Sequence, residues 1–159
     1  MPEGIVRIDD RLIHGQVIVG WGSFLNPEVI VVCNDEIADS DMEKELYSST
    51  IPDSIEIIFL SVEQTAQLLK SDDLNNRKFI LLMESPFDAL RLLELGGNLS
   101  SINIGGLHFK NEAVQFLTYV YLNKDEISCF RKIMDMGVEL ECRDLPQSKK
   151  VLLKKLFNK

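Results

Sequence analysis

Cysteine is scarce in this sequence: Cys33, Cys129 and Cys142 are odd in number, far apart and never in a C-x-x-C spacing. Neither a disulfide framework nor a zinc site is indicated. No Gly-Lys-Ser or Gly-Lys-Thr occurs, and Gly15, Gly20 and Gly22 fit no G-x-G-x-x-G pattern, so an ATP-binding phosphate loop is absent. The longest uninterrupted apolar runs, Val29 to Cys33 and Phe79 to Met83, are far too short for a spanning helix. The opening Met-Pro-Glu-Gly lacks the regions of a signal peptide, so a cytoplasmic protein with no direct membrane insertion is expected. Positive charge is in deficit: 17 Lys and Arg against 25 Asp and Glu leave a net charge of -8, which disfavours nucleic acid as a partner. With only nine Gly and five Pro among 159 residues and 45% hydrophobic content, the chain reads as one globular domain over residues 1–159.

What is there is an alternation of short β-branched runs and longer amphipathic stretches. Gly4 to Ile8, Val29 to Cys33, Ile55 to Leu60, Lys78 to Met83, Ser101 to Gly105, Tyr119 to Leu122 and Val138 to Cys142 read as strands. Several are apolar throughout, as strands in a helix-covered parallel sheet are. Between them, Ser61 with Gln64 and Asn123 with Glu126 form capping boxes. Pro86 opens a helix that Gly96-Gly97 closes, and Gly137 closes the next. A helix is expected to begin near Gly15 and another to span about residues 148 to 157. The fold class is therefore α/β, a three-layer α/β/α domain with a mostly parallel central sheet. The tail from Arg143 to Lys159 carries six basic residues against Asp144 alone, and reads as a solvated amphipathic helix able to meet an acidic partner.

Ligands of open parallel sheets bind at the carboxyl ends of the strands. The loop after the first strand is the densest in chemistry: Arg7, Asp9, Asp10, Arg11 and His14 fall within eight residues. Imidazole is a competent nitrogen nucleophile near neutral pH. Two guanidiniums and a helix start are suited to compensate an incoming phosphoryl group. Asp9 or Asp10 would keep one ring nitrogen protonated and leave the other free to attack. His108 has no acidic or nucleophilic neighbour in sequence and reads as a surface or rim histidine. Asp35, Glu36, Asp39 and Asp41 match no EF-hand spacing and are explained by helix capping and the macrodipole, so no metal is expected.

The run Ile8-Asp-Asp-Arg-Leu-Ile-His-Gly-Gln-Val17 resembles the signature of the IIB component of the mannose/fructose/sorbose family of the bacterial sugar phosphotransferase system. The resemblance continues through Trp21, Val31 to Asp39, Asn103 to Gly106, and Gly137 to Glu141, and so covers nearly the whole chain. It implies an α/β/α sandwich in which His14 takes a phosphoryl group from a phosphohistidine on a IIA domain. His14 then passes it to a sugar held by membrane IIC and IID components. By the same resemblance Arg7, Asp10, Arg11, Gly15 and Gln16 form the active loop, with Asp35, Asp39, Gly105 and Gly106 on its rim. No cofactor is required. The stretch Leu107 to Ala113 departs from the family, many members of which carry Gly and basic residues where Lys110 is here the only cation.

Two other readings compete with phosphotransfer: a regulatory module that senses a partner or anion through the same loop, and a nucleotide or flavin binder of flavodoxin type. The last lacks the phosphate motif. Sugar identity and homo-oligomer formation are left open.

Overall fold

A computed structural model describes residues 3–158, with the backbone alone considered at Glu3. Met1 and Pro2, which open the segment read for a signal peptide, and Lys159, the last cation of the basic tail, lie outside the described residues. Among these residues seven strands form the main sheet: β1 (Glu3–Asp9), β2 (Val29–Cys33), β3 (Glu56–Leu60), β4 (Lys78–Met83), β5 (Ser101–Gly106), β8 (Glu139–Cys142) and β9 (Val151–Leu152). Their order is β3-β2-β4-β1-β5-β8-β9, parallel throughout except for the antiparallel β8–β9 pair. The chain builds to one side of β1, returns through β4, and crosses to β5 on the other side. The crevice between β1 and β5 is thus a topological switch point.

Alternation along the strands divides the core in two. Val29, Val31 and Cys33 of β2, with Phe79, Leu81 and Met83 of β4, face α4 (Val62–Lys70), α5 (Pro86–Glu94) and α6 (Lys124–Asp135). Ile30, Val32, Ile80 and Leu82 face the opposite layer, which contains Leu12, Val17, Trp21 and Ile37. On β1 the apolar Val6 and Ile8 point into the first layer, and the second face presents Arg7 and Asp9, both fully buried.

The helix after β1 starts as a π-helical segment, Gln16–Trp21, and only then becomes α1 (Gly22–Leu25). Such segments recur at functional sites. Asn34 accepts from the Ile37 amide and caps α2 (Asp35–Ala38), followed by α3 (Asp41–Ser48). Ser61 and Asn123 cap α4 and α6 through the expected boxes. The strand expected at Tyr119 to Leu122 is β7 (Val120–Leu122), which leaves the main sheet and pairs antiparallel with β6 (Val114–Leu117). The expected tail helix over 148–157 is shorter, α7 (Leu153–Phe157), because Val151 and Leu152 pair with Cys142 and Glu141 as β9. Tertiary pairing overrides helical spacing there. No helix among the described residues is long and apolar enough to cross a membrane.

Candidate active site

Arg7 is the largest fully buried side chain of the fold. Its Nη1 donates to the Asn103 side-chain oxygen and to the carbonyl of Arg143 (3.0 Å); its Nη2 donates to Asp9 Oδ2 (3.3 Å) and to the carbonyl of Asp144 (3.0 Å). Burial lowers its pKa and Asp9 opposes the shift. The guanidinium lies over the Trp21 ring, 5.2 Å from the centroid, and the Trp21 indole N–H donates to the Asp144 carbonyl (2.9 Å). Room for this group comes from Gly105, where a Cβ would stand 1.9 Å from Arg7 Cζ. The expectation that Arg7 meets the phosphoryl group is corrected: it is sealed beneath the loop, with both Nη atoms occupied. It braces Asp9 and ties β1 to β5 and β8.

Asp9 is also fully buried and gathers the loop around itself. It accepts from Arg11 three times, through the backbone N–H (3.1 Å), Nε (3.2 Å) and Nη2 (3.3 Å), and from His14 Nε2 (2.9 Å). Burial works to raise its pKa, but the hydrogen bonds from His14 and Arg11 prevail and hold it at about 2. The two neighbouring acids have separate tasks. Asp10, expected to support the site directly, turns the other way: it accepts from the His108 backbone N–H (2.7 Å) and pairs with His108 Nδ1 (2.6 Å). It is Asp9 that orients His14.

The ring of His14 has a defined tautomer. A carboxylate only accepts, so Nε2 carries the proton; the Gln16 N–H points at Nδ1 (3.3 Å), so Nδ1 holds the lone pair. Arg11, more than a third exposed, donates to the Gln16 side chain (2.7 Å). At Gly15 a Cβ would meet nothing within 4 Å. Ile13, His14, Gly15, Ile18, Val19 and Thr50 line a cleft of about 300 Å3 beside it. At Gly106 a Cβ would come within 3.4 Å of Arg11 and Asp9, and the Gly106 carbonyl accepts from the Asp10 N–H (3.0 Å). Leu12 turns the loop at φ 56, a left-handed conformation that costs a non-glycine residue energy and requires its surroundings to hold it.

The rim residues Asp35 and Asp39 line a different cleft, with Ser61, Gln64, Gln67 and Arg91. Asp35 accepts from the Val62 N–H (2.9 Å) and pairs with Arg91, and these bonds lower its pKa. No hydrogen bond among the described residues connects it to His14. Lys110, read as the rim cation, is taken by both Glu126 oxygens (3.0 Å each) and the Tyr121 carbonyl (3.1 Å). Among the described residues no three His, Cys, Asp or Glu side chains converge as a metal site requires. All three cysteines are buried, and burial raises the Cys33 and Cys142 thiols to about 12 and Cys129 to about 11, so they are poor nucleophiles. The residues that spacing alone did not single out are Arg143 and Asp144, whose contribution is backbone carbonyls.

Residues 4–159 match the family described as PTS system sorbose subfamily IIB component. The chain belongs to that family. It is a IIB component of the sugar phosphotransferase system, and the relatives place it there consistently. This IIB chain is 34% identical to the PTS system fructose-specific EIIB component of Bacillus subtilis (strain 168), over 89% of this chain and 87% of that protein. It is 31% identical to the PTS system mannose-specific EIIAB component of Escherichia coli (strain K12), over 100% of this chain but only 49% of that longer protein. The IIBSor domain of the sorbose permease from Klebsiella pneumoniae superposes with a TM-score of 0.89 at 27% identity, covering 99% of this chain and 97% of that one.

Proposed function

We propose that this IIB chain is a phosphohistidine carrier that works in the cytoplasm. His14 Nδ1 attacks the phosphorus of a phosphohistidine on a IIA domain, the bond to the donor nitrogen breaks, and the phosphoryl group resides on Nδ1. In a second displacement a sugar hydroxyl held by membrane IIC and IID components attacks the same phosphorus and gives up its proton to solvent, and Nδ1 leaves with its electron pair restored. The observation that carries this reading is the tautomer: Asp9 accepts the hydrogen bond from Nε2–H, so the lone pair is on Nδ1. There it meets the Gln16 N–H in a contact that the incoming phosphorus replaces, and Arg11 bonds the Gln16 side chain. Asp9 also stabilises the positive charge that the ring acquires on attack. Arg11 and the Gln16 N–H compensate the charge of the transferring group, which is what phosphoryl transfer asks of a protein. Arg7 contributes from below by holding Asp9 in place. No step in this scheme requires a metal or an organic cofactor.

The test is labelling. Incubation with a phosphorylated IIA-type protein should label wild type within minutes with acid-labile, base-stable phosphate, and His14→Ala should take up none. Labelled ATP and magnesium alone should leave the protein unlabelled. Arg11→Ala should slow transfer roughly ten- to a hundredfold, the equivalent of about 1.5 to 3 kcal/mol for a hydrogen bond to a charged group. Label persisting in His14→Ala would defeat the assignment. Wild type that binds the donor without being labelled would favour the regulatory module instead.

A further inference from the structure

Each of the two adjacent aspartates holds one of the chain's two histidines, and the second pair has no part in the scheme above. Asp10 accepts from both the backbone N–H and the ring Nδ1 of His108, and its own N–H donates to the Gly106 carbonyl (3.0 Å). Three hydrogen bonds therefore staple the loop bearing His14 to the end of β5 and the segment that follows it.

That segment is itself tied down on the far side. Leu107 is buried and exchanges backbone hydrogen bonds with β7, donating to the Tyr119 carbonyl (2.9 Å) and accepting from Tyr121 (2.8 Å). Two residues beyond His108, Lys110 is fixed by Glu126 at the start of α6 and by the Tyr121 carbonyl. His108 thus projects from an arm anchored on either side of it. The His14 loop, by contrast, is held from within, by the bonds that Arg11 and His14 make to Asp9. It also carries strain: it turns through Leu12 at positive φ, and its helix, Gln16–Trp21, has no side-chain cap at Gly15.

We propose that His108 is a positioning residue for phosphotransfer: acting through Asp10, it anchors the strained loop to the arm beyond β5 and so keeps Asp9, Arg11 and His14 in register. The proposal rests on the phosphotransfer reading for its consequence in rate, and on geometry alone for its consequence in structure. The ring Nδ1–H is the operative group, because it donates to Asp10 whether or not the ring carries a second proton. Nε2 is not used, and half of the side chain stays exposed. Asparagine places an amide N–H close to where Nδ1 lies, so it should substitute where alanine does not.

The experiment compares wild type, His108→Ala, His108→Asn, Asp10→Ala and the Asp10→Ala/His108→Ala double variant in two measurements. Transfer from a phosphorylated IIA-type protein should slow about five- to fiftyfold in His108→Ala, with the final stoichiometry unchanged, and should recover most of the way in His108→Asn. Asp10→Ala should cost at least as much, and adding His108→Ala to it should change nothing further. Nitrogen NMR of the His14 ring, taken without any donor, should show the single Nε2–H tautomer in wild type and His108→Asn and a mixture in His108→Ala. An alanine variant with wild-type rate and ring spectrum would overturn the proposal, as would equal losses in the alanine and asparagine variants. Wild type that accepts no phosphoryl group would fail the phosphotransfer reading while the ring spectra still decide the positioning role.

Discussion

Asp9 and Asp35 both stand at the carboxyl end of a strand and both meet an arginine, Arg11 or Arg91, yet they live in different physics. Asp9 is fully buried and is surrounded by donors from Arg7, Arg11 and His14. Asp35 and Arg91 are each about half exposed, and Asp35 spends one oxygen on the α4 amide of Val62. An exposed pair in water contributes at most about 1 kcal/mol, whereas breaking a buried pair leaves a charge with no solvent to turn to. Their surroundings also differ in sign. The β1–β5 crevice is built of donors around one carboxylate, while the cleft at Asp35 is rich in acids, and there burial, Glu84 and Asp35 drive the Asp88 carboxyl up to about 6. Each place pairs an aspartate with an arginine; enclosure makes one the hub of a buried network and leaves the other an exposed ion pair at a helix start.

The comparison is broken most forcefully at Gly105. Gly105→Ala would press a methyl group into the Arg7 guanidinium, displace the buried charge, and cost about 3 to 5 kcal/mol in a urea unfolding experiment, the range for breaking a buried ion pair. A loss below about 1 kcal/mol would mean that Arg7 has somewhere else to go.

A pH titration of stability sharpens the same contrast, since the two carboxyls act with opposite sign. The Asp9 pKa is depressed, from 3.8 to about 2, so its contribution is full above about pH 4 and is lost as pH falls toward 2; it amounts to about 2 kcal/mol. The Asp88 pKa is raised from 3.8 to about 6, so ionising it works against the fold: that penalty is absent below about pH 4 and complete above about pH 6. Asp88→Asn should therefore be more stable than wild type at pH 7 by about 1 to 2 kcal/mol, the two converging near pH 4. Unfolding curves for both proteins at pH 4 and 7 check this, and parallel behaviour at the two pH values would refute it. The smallest effect is expected at the exposed pair: Arg91→Ala should change stability by less than about 1 kcal/mol, and progressively less as salt is added. A larger, salt-independent loss would put Asp35 and Arg91 in the same class as Asp9.

Much of this was legible along the chain. Continuous apolar runs at Val29 to Cys33 and Phe79 to Met83 required a sheet covered on both faces, and Ser61, Pro86, Asn123 and Gly137 marked helix ends. These signals are local: capping and periodicity are decided among residues a few positions apart. His14 and Arg11, the pair proposed to carry the chemistry, could be picked out for the same reason. Harder to see were β6 and β9, because a four-residue strand and a two-residue strand have no periodicity to read and exist only through their partners. The pattern also left Asp9 and Asp10 interchangeable.

Most of the element order, the helix ends and the choice of the loop proposed to react are thus properties of the sequence by itself. Tertiary structure alone decided that Arg7 is a buried brace, that Asp9 takes His14 while Asp10 takes His108, and that Lys110 is spent on Glu126. The partners that settle these roles lie far away in sequence: Arg7 meets Asn103 across 96 positions and the Arg143 carbonyl across 136, and Asp10 meets His108 across 98. Such choices follow from strand register and from which groups lose access to water, and neither is defined until the sheet has closed.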